Sequence, residues 1–181
     1  MTSAHGWAGE QTMVEVTVHS VRVSLITQNR VVVLMEVGGR RYLPIWIGPD
    51  VADAIAIQLQ GVEMARPLTH DLLCSVIRAL GAKVNCVLVN DIRDNTFYAR
   101  IIFDVAGRYV EVDSRPSDAI ALAVRVKCPI YVEEAVLEQA GLVQEAPPTE
   151  GEEKDLDVFR EFLSRLEEEE EGETSPEEED A

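Results

Sequence analysis

The run Arg41-Tyr42-Leu43-Pro44-Ile45-Trp46-Ile47-Gly48-Pro49-Asp50-Val51-Ala52-Asp53-Ala54-Ile55-Ala56 is echoed by Arg108-Tyr109-Val110-Glu111-Val112-Asp113-Ser114-Arg115-Pro116-Ser117-Asp118-Ala119-Ile120-Ala121. In both, an Arg-Tyr pair opens an extended stretch that leads through a proline to Asp-Ala-Ile-Ala. Each is preceded by an apolar run with one acid and a glycine turn, Val33 to Gly39 and Ile101 to Gly107. A strand, turn, strand, helix unit is therefore expected twice. One such unit is too small to close a core, whereas two packed together suffice.

Working outward, Val14, Val16 and Val18 alternate with Glu15 and Thr17, the period of a half-buried strand. Val31 to Val37 reads as a buried strand, and Gly38-Gly39 suits a tight hairpin into a strand from Arg41 to Ile47. Pro49 fits a first helical turn, where its missing donor is not needed, and Gly61 ends that helix. A second helix is expected with Thr69 as N-cap, burying a stripe of Leu72, Leu73, Val76, Ile77 and Leu80. Strands follow at Val84 to Val89, Thr96 to Val105 and Tyr109 to Val112, then a helix capped by Ser114 or Ser117. Pro129 to Val132 and Glu133 to Ala140 read as a short strand and a short helix. Strands grouped before helices give an α+β class, a mostly antiparallel sheet with helices in two internally similar strand-strand-strand-helix halves.

The 181 residues divide by composition into a loose leader at 1–12, a domain at 13–143 and an acidic tail at 144–181. The net charge of −17 is concentrated at the end. Residues 1–143 carry 13 basic and 16 acidic side chains, a net of −3, while 144–181 carry 3 and 17, a net of −14. That balance excludes tight, nonspecific binding to nucleic acid or anionic membrane, yet leaves room for local arginine-lined pockets. Phe159 to Leu166 could form an amphipathic face within a short helix at 155–166, and the acidic run after it is expected to be disordered. Cys74, Cys86 and Cys128 have no metal-like spacing and read as reduced thiols. No apolar run is long enough to span a membrane and no signal peptide is visible, so the expected address is the cytoplasm.

The chemistry-bearing residues cluster at two helix starts. Arg66-Pro67-Leu68-Thr69-His70-Asp71 delivers a guanidinium, a hydroxyl, an imidazole and a carboxylate to one of them. Unpaired backbone donors and the positive dipole end there favour a phosphate. Arg66 could grip its oxygens, Asp71 could hold a divalent cation, and His70 could move a proton. Ser114-Arg115-Pro116-Ser117-Asp118 has the same grammar, and Glu133-Glu134 could join a metal site. Each feature also has an inert reading: caps for Thr69 and Ser117, an Arg115–Asp118 ion pair, and a solvated first turn for Glu133. Trp46 reads as core or subunit interface rather than as a base-stacking platform. There is no phosphate-cradling glycine loop, zinc spacing, nucleophile elbow or basic tract.

Tyr42 to Gly48, Arg66 to Leu72, Thr96 to Ala99, Ser114 to Ala121 and Pro129 to Val132 together resemble the bifunctional nuclease domain family of bacteria and plants, over roughly residues 13–143. The resemblance implies an α+β domain, oligomeric, with nuclease activity on DNA and RNA. The expected function is thus a metal-assisted phosphodiesterase. Arg66, Thr69, Arg115 and Ser117 would position phosphate. Asp71 and Asp118, with Glu133, would hold Mg²⁺ or Mn²⁺, and His70 would carry the proton. Substrate binding would be weak and salt-sensitive. The alternative is a non-catalytic oligomeric binding module, with structural Arg-Pro loops and an acidic tail that contacts a basic partner.

Overall fold

Alternation from Met13 onward produces a first strand, β1 (Met13–Val23), and the expected apolar run gives β2 (Arg30–Glu36). They are followed by β3 (Arg41–Ile47), α1 (Pro49–Leu59), α2 (Thr69–Ala79), β4 (Ala82–Arg93), β5 (Thr96–Val105) and β6 (Arg108–Ser114). The chain continues through α3 (Pro116–Val126), β7 (Ile130–Glu133), α4 (Glu134–Ala140) and β8 (Leu142–Val143). The computed structural model describes residues 12–23 and 30–143. The chain divides into two units, Met1–Val143 and Gln144–Ala181, and every described residue lies in the first. The expected leader, apart from Thr12, and the acidic tail with its helix at 155–166 lie outside the described residues.

The class is α+β. Eight strands form one sheet in the order β6-β5-β4-β7-β1-β2-β3-β8. Every neighbouring pair is antiparallel except β4 and β7, which run parallel in the register Val87 to Ile130, Leu88 to Tyr131 and Val89 to Val132. Two three-strand meanders, β1-β2-β3 and β4-β5-β6, are each followed by a helix that begins at a proline. Asp94 and Asn95 both take left-handed φ, 47° and 59°, and close the β4–β5 hairpin in the conformation that short polar side chains tolerate. In the β5–β6 turn Gly107 has φ +80°, and its N–H donates to Asp104 Oδ1 at 2.8 Å.

The centre of the fold is α3. Ala119, Ile120, Ala121, Leu122 and Ala123 are all buried, so this helix is covered on every side along its middle. It packs against α1, α2, β4 and β5. Its three alanines present little bulk and allow close approach of the helices around it. The sheet face turned toward the helices carries Val16, Val32, Leu34, Leu43, Ile45, Val87, Val89, Ile101 and Val132. A smaller cluster of Cys86, Leu88 and Ile102 forms a separate apolar group. β3 and β5 are separated by four strands in the sheet order, yet their ends line one pocket. At about 4.8 Å per strand a flat sheet would hold them far apart, so the sheet curls around α3.

Several expectations are corrected by packing. Of the predicted α2 stripe only Ile77 is buried. Leu72, Leu73, Val76 and Leu80 are exposed, and α2 instead buries His70, Cys74 and Ile77. The helix period is right, but the face against α3 is set by the first-turn contacts of His70 and Asp71. Thr69 is the first residue of α2 and not its N-cap, a position taken by Leu68. α3 is capped by Arg115, not by Ser114 or Ser117, because Pro116 fixes the first helical residue and drives the one before it to extended backbone. β8, too short to show a period, was not visible in the sequence. Cys74 and Cys86 are buried and Cys128 is partly so, all three free. Among the described residues no helix is long and apolar enough to cross a membrane.

Truncating Ile120, which is fully buried at the centre of α3, should cost about 2–5 kcal/mol of stability as Ile120→Ala. Urea unfolding followed by circular dichroism measures it. A loss below about 1 kcal/mol would contradict the central placement of this helix.

Candidate functional site

Two Arg-Pro loops open the two helices that face each other. Leu68 and Arg115 are both extended, with ψ of 171° and 143°, and each hands the chain to a helix at the next residue. The N–H of Leu68 donates to Asp71 Oδ2 at 2.8 Å, so the carboxylate reaches back to close the first turn of α2. His70, beside it, points the other way. It is only 8% exposed, and its Nε2 lies 3.4 Å from Asp118 Oδ1 in the first turn of α3. The second oxygen of Asp118 accepts from Arg115 Nε at 2.7 Å. The sequence-predicted His70, Arg115 and Asp118 are therefore brought together from both loops. Asp118 holds the Arg115 guanidinium still further above its usual value through that hydrogen bond.

Asp71 has a different partner, which sequence reasoning missed. Arg125, in the last turn of α3, has a side chain only 4% exposed. Its Nε donates to Asp71 Oδ1 at 2.7 Å, one terminal nitrogen to Ala121 O at 2.9 Å, and the other to Ala54 O at 3.1 Å. One guanidinium thus ties α1, α2 and α3 together. Burial would raise the Asp71 carboxyl, but the hydrogen bonds from Arg125 and from the Leu68 amide outweigh it and leave it below the usual carboxylate value. The only hint of this role in the sequence is an arginine set between Val124 and Val126 in an otherwise apolar helix.

The two loop arginines do not share a pocket. Arg66 lines an open pocket of about 320 Å³ with Met64, Leu68, Asp71 and Arg125. Arg115, Pro116 and Ser117 line a separate one of about 270 Å³ with Trp46, Gly48, Thr96 and Phe97. Thr69 is exposed at the start of α2. Glu133 ends β7, where burial and then Asp91 raise its carboxyl while Arg100 opposes them.

The expected Mg²⁺ or Mn²⁺ set of Asp71, Asp118 and Glu133 does not form. Among the described residues no group of three His, Cys, Asp or Glu side chains is arranged to hold a metal ion. The reason is charge pairing. Asp71 spends its oxygens on Arg125 and Leu68, Asp118 spends its own on Arg115 and His70, and Glu133 faces Asp91 and Arg100. These donors do not fit a resident three-carboxylate metal.

Comparison with known proteins gives the family. The family profile of the bifunctional nuclease domain matches residues 32–145, so the chain belongs to that family. An uncharacterized protein of Mycobacterium tuberculosis is 48% identical over 159 residues, which cover 85% of this chain and 95% of that one. Bifunctional nuclease 2 of Oryza sativa subsp. japonica is 29% identical over 118 residues, covering 64% of this chain and 36% of its own length. Bifunctional nuclease 1 of Arabidopsis thaliana is 28% identical over 132 residues, covering 67% of this chain and 41% of its own. The chain thus spans well under half of each plant relative.

The Asp71–Arg125 pair makes a pH-dependent contribution to stability. Because the folded carboxyl is depressed, the contribution is complete above the unfolded aspartate value of roughly 3.9 and is lost as pH falls through the lower folded value. Asp71→Asn should therefore be less stable by about 1–3 kcal/mol at neutral pH, a figure reduced for the partial exposure of Asp71. Its deficit should shrink below about pH 4. Urea titrations of both proteins across pH 3–7 measure this, and a deficit independent of pH would refute the pairing.

Proposed function

We propose that this chain is a phosphodiesterase acting on nucleic acid, DNA or RNA. The observation that carries the reading is the His70–Asp118–Arg115 cluster at two facing helix starts, within a chain of the bifunctional nuclease domain family. The nuclease names of the plant relatives support it. The chemistry follows from the side chains. A carboxylate facing Nε2 favours the proton on that nitrogen and leaves Nδ1 as the base. Arg115, anchored at Nε, offers its terminal nitrogens to a substrate phosphate. Since no three-carboxylate group is present among the described residues, no step is assigned to a metal. We further place the protein in the cytoplasm, a reading supported by its three free cysteines, and read it as a homo-oligomer from the family resemblance alone. The tail, with a net charge of −14, suits a basic partner.

A second reading, a non-catalytic oligomeric binding module, is favoured by one observation. Both aspartates of the loops already have a guanidinium partner, and His70 is buried between them. The two readings differ in a cleavage assay on labelled single-stranded RNA and DNA. Under the nuclease reading His70→Ala lowers kcat about 100- to 10,000-fold, the usual share of a general acid–base group. Arg115→Ala weakens binding and flattens its salt dependence by roughly one phosphate contact. Asp71→Asn loses stability while keeping its rate per folded molecule. Equal cleavage by wild type and His70→Ala would sink the nuclease reading in favour of the module.

A further inference from the structure

The pocket that Arg115 lines plays no part in the proton-transfer step, yet its walls are chemically specific. They come from the end of β3 with Trp46 and Gly48, the start of β5 with Thr96 and Phe97, and the start of α3 with Arg115 and Ser117. Trp46 is 66% exposed although Ile45 beside it is buried. An indole is among the most costly side chains to leave in water, and this one borders a concave site. Of the two expected places for it, core or subunit interface, its exposure removes the core.

The same pocket is lined by a set of unspent donors. Ser117 is 8% exposed as a residue and lines the pocket, and its hydroxyl makes no hydrogen bond among the described residues. The backbone N–H groups of Ser117 and Asp118 stand in the first turn of α3, where no helical acceptor exists for them. Arg115 uses Nε on Asp118, and its terminal nitrogens have no other hydrogen bond among the described residues. No acidic side chain lines the pocket. Positive and neutral donors on one wall and an aromatic ring on another match a phosphate attached to a flat heterocycle. The volume of about 270 Å³ falls at the small end of ligand sites, room for one unit rather than for several.

We propose that this pocket holds one unpaired nucleotide of a single-stranded nucleic acid, with its phosphate on Arg115, Ser117 and the start of α3 and its base stacked on Trp46. A base inside a duplex has both faces covered by its neighbours and cannot offer one to an indole. The inference rests on the nuclease reading and specifies its substrate class: single strands, loops and frayed ends. It also joins binding to chemistry, because Asp118 touches Arg115 on one side and His70 on the other.

The test uses the full chain carrying Trp7→Phe, which leaves Trp46 as the sole indole. Its fluorescence is titrated with single-stranded oligothymidylate, with a blunt duplex of the same length and with inorganic phosphate. Saturable quenching by the single strand, at least about 10-fold weaker for the duplex, is expected. Anisotropy of a labelled strand then compares Trp46→Ala, Trp46→Phe and Ser117→Ala in the otherwise unchanged protein. Trp46→Ala should weaken binding roughly 5- to 150-fold, the range of one lost stacking contact, and Trp46→Phe should recover much of it. Equal affinity for duplex and single strand overturns the proposal. So does unchanged affinity in Trp46→Ala, including the case in which that variant only changes oligomeric state. Trp46-independent binding with intact cleavage removes the pocket and leaves the nuclease reading standing. Trp46-dependent binding by a wild type that cleaves nothing removes the nuclease reading and leaves the pocket.

Discussion

A buried guanidinium needs a counter-charge and a full set of acceptors, and Arg125 finds them on three helices at once. Desolvating such a group costs several kcal/mol, which only well-placed acceptors offset. The Ala121 carbonyl comes from its own helix, the Ala54 carbonyl from α1, and the charge from Asp71 in the first turn of α2. This fixes where α2 begins relative to α3. It also decides the division of labour between two adjacent residues. Asp71 turns toward the end of α3 as a structural counter-ion, and His70 turns toward its start, where it meets Asp118. A carboxylate that looks catalytic in sequence holds the frame, and its neighbour is left facing Asp118.

The second constraint is the curl of the sheet. A central helix rich in alanine is narrow, and eight strands wrapped on it bring the end of β3 round to the β4–β5 hairpin. That closure brings Trp46 and Arg115, which lie far apart in the chain, to one pocket. The ion pairs of Arg41 with Glu36 and Glu134 tie β3 to β2 and to α4, and so help hold the far side of the curl in place. Arg41 pulls the Glu36 carboxyl below its usual value through the same hydrogen bonds. The proposed nucleotide pocket and His70 thus meet at the start of α3, which the core encloses and the two loops crown.

Much of this was legible in the amino-acid order, for local reasons. Alternation gave the strands, prolines and glycines marked the helix ends, and strands grouped before helices gave the α+β class. The pairing of a polar helix start in each loop pointed to a shared site, and His70 does reach Asp118. What was not legible is non-local. The helical period of α2 admits two apolar faces, and only tertiary contact selects His70, Cys74 and Ile77 over Leu72, Val76 and Leu80. Arg125 reads as an ordinary basic residue in a last turn until its three acceptors are assembled. Trp46 between two isoleucines reads as core or subunit interface, because alternation alone does not say which apolar side chains the sheet leaves open. Asp71 and Asp118 read as metal ligands because sequence shows carboxylates but not the guanidinium groups that occupy them.

The central claim is that one substrate strand crosses the start of α3. A crystal structure of the full chain with a single-stranded phosphorothioate oligonucleotide tests it most directly. The account predicts a phosphate within hydrogen-bond distance of Arg115 and Ser117, an adjoining base flat against Trp46, and the next phosphodiester beside His70. A strand running instead through the Arg66 pocket, with Trp46 and Arg115 free of contact, would contradict it.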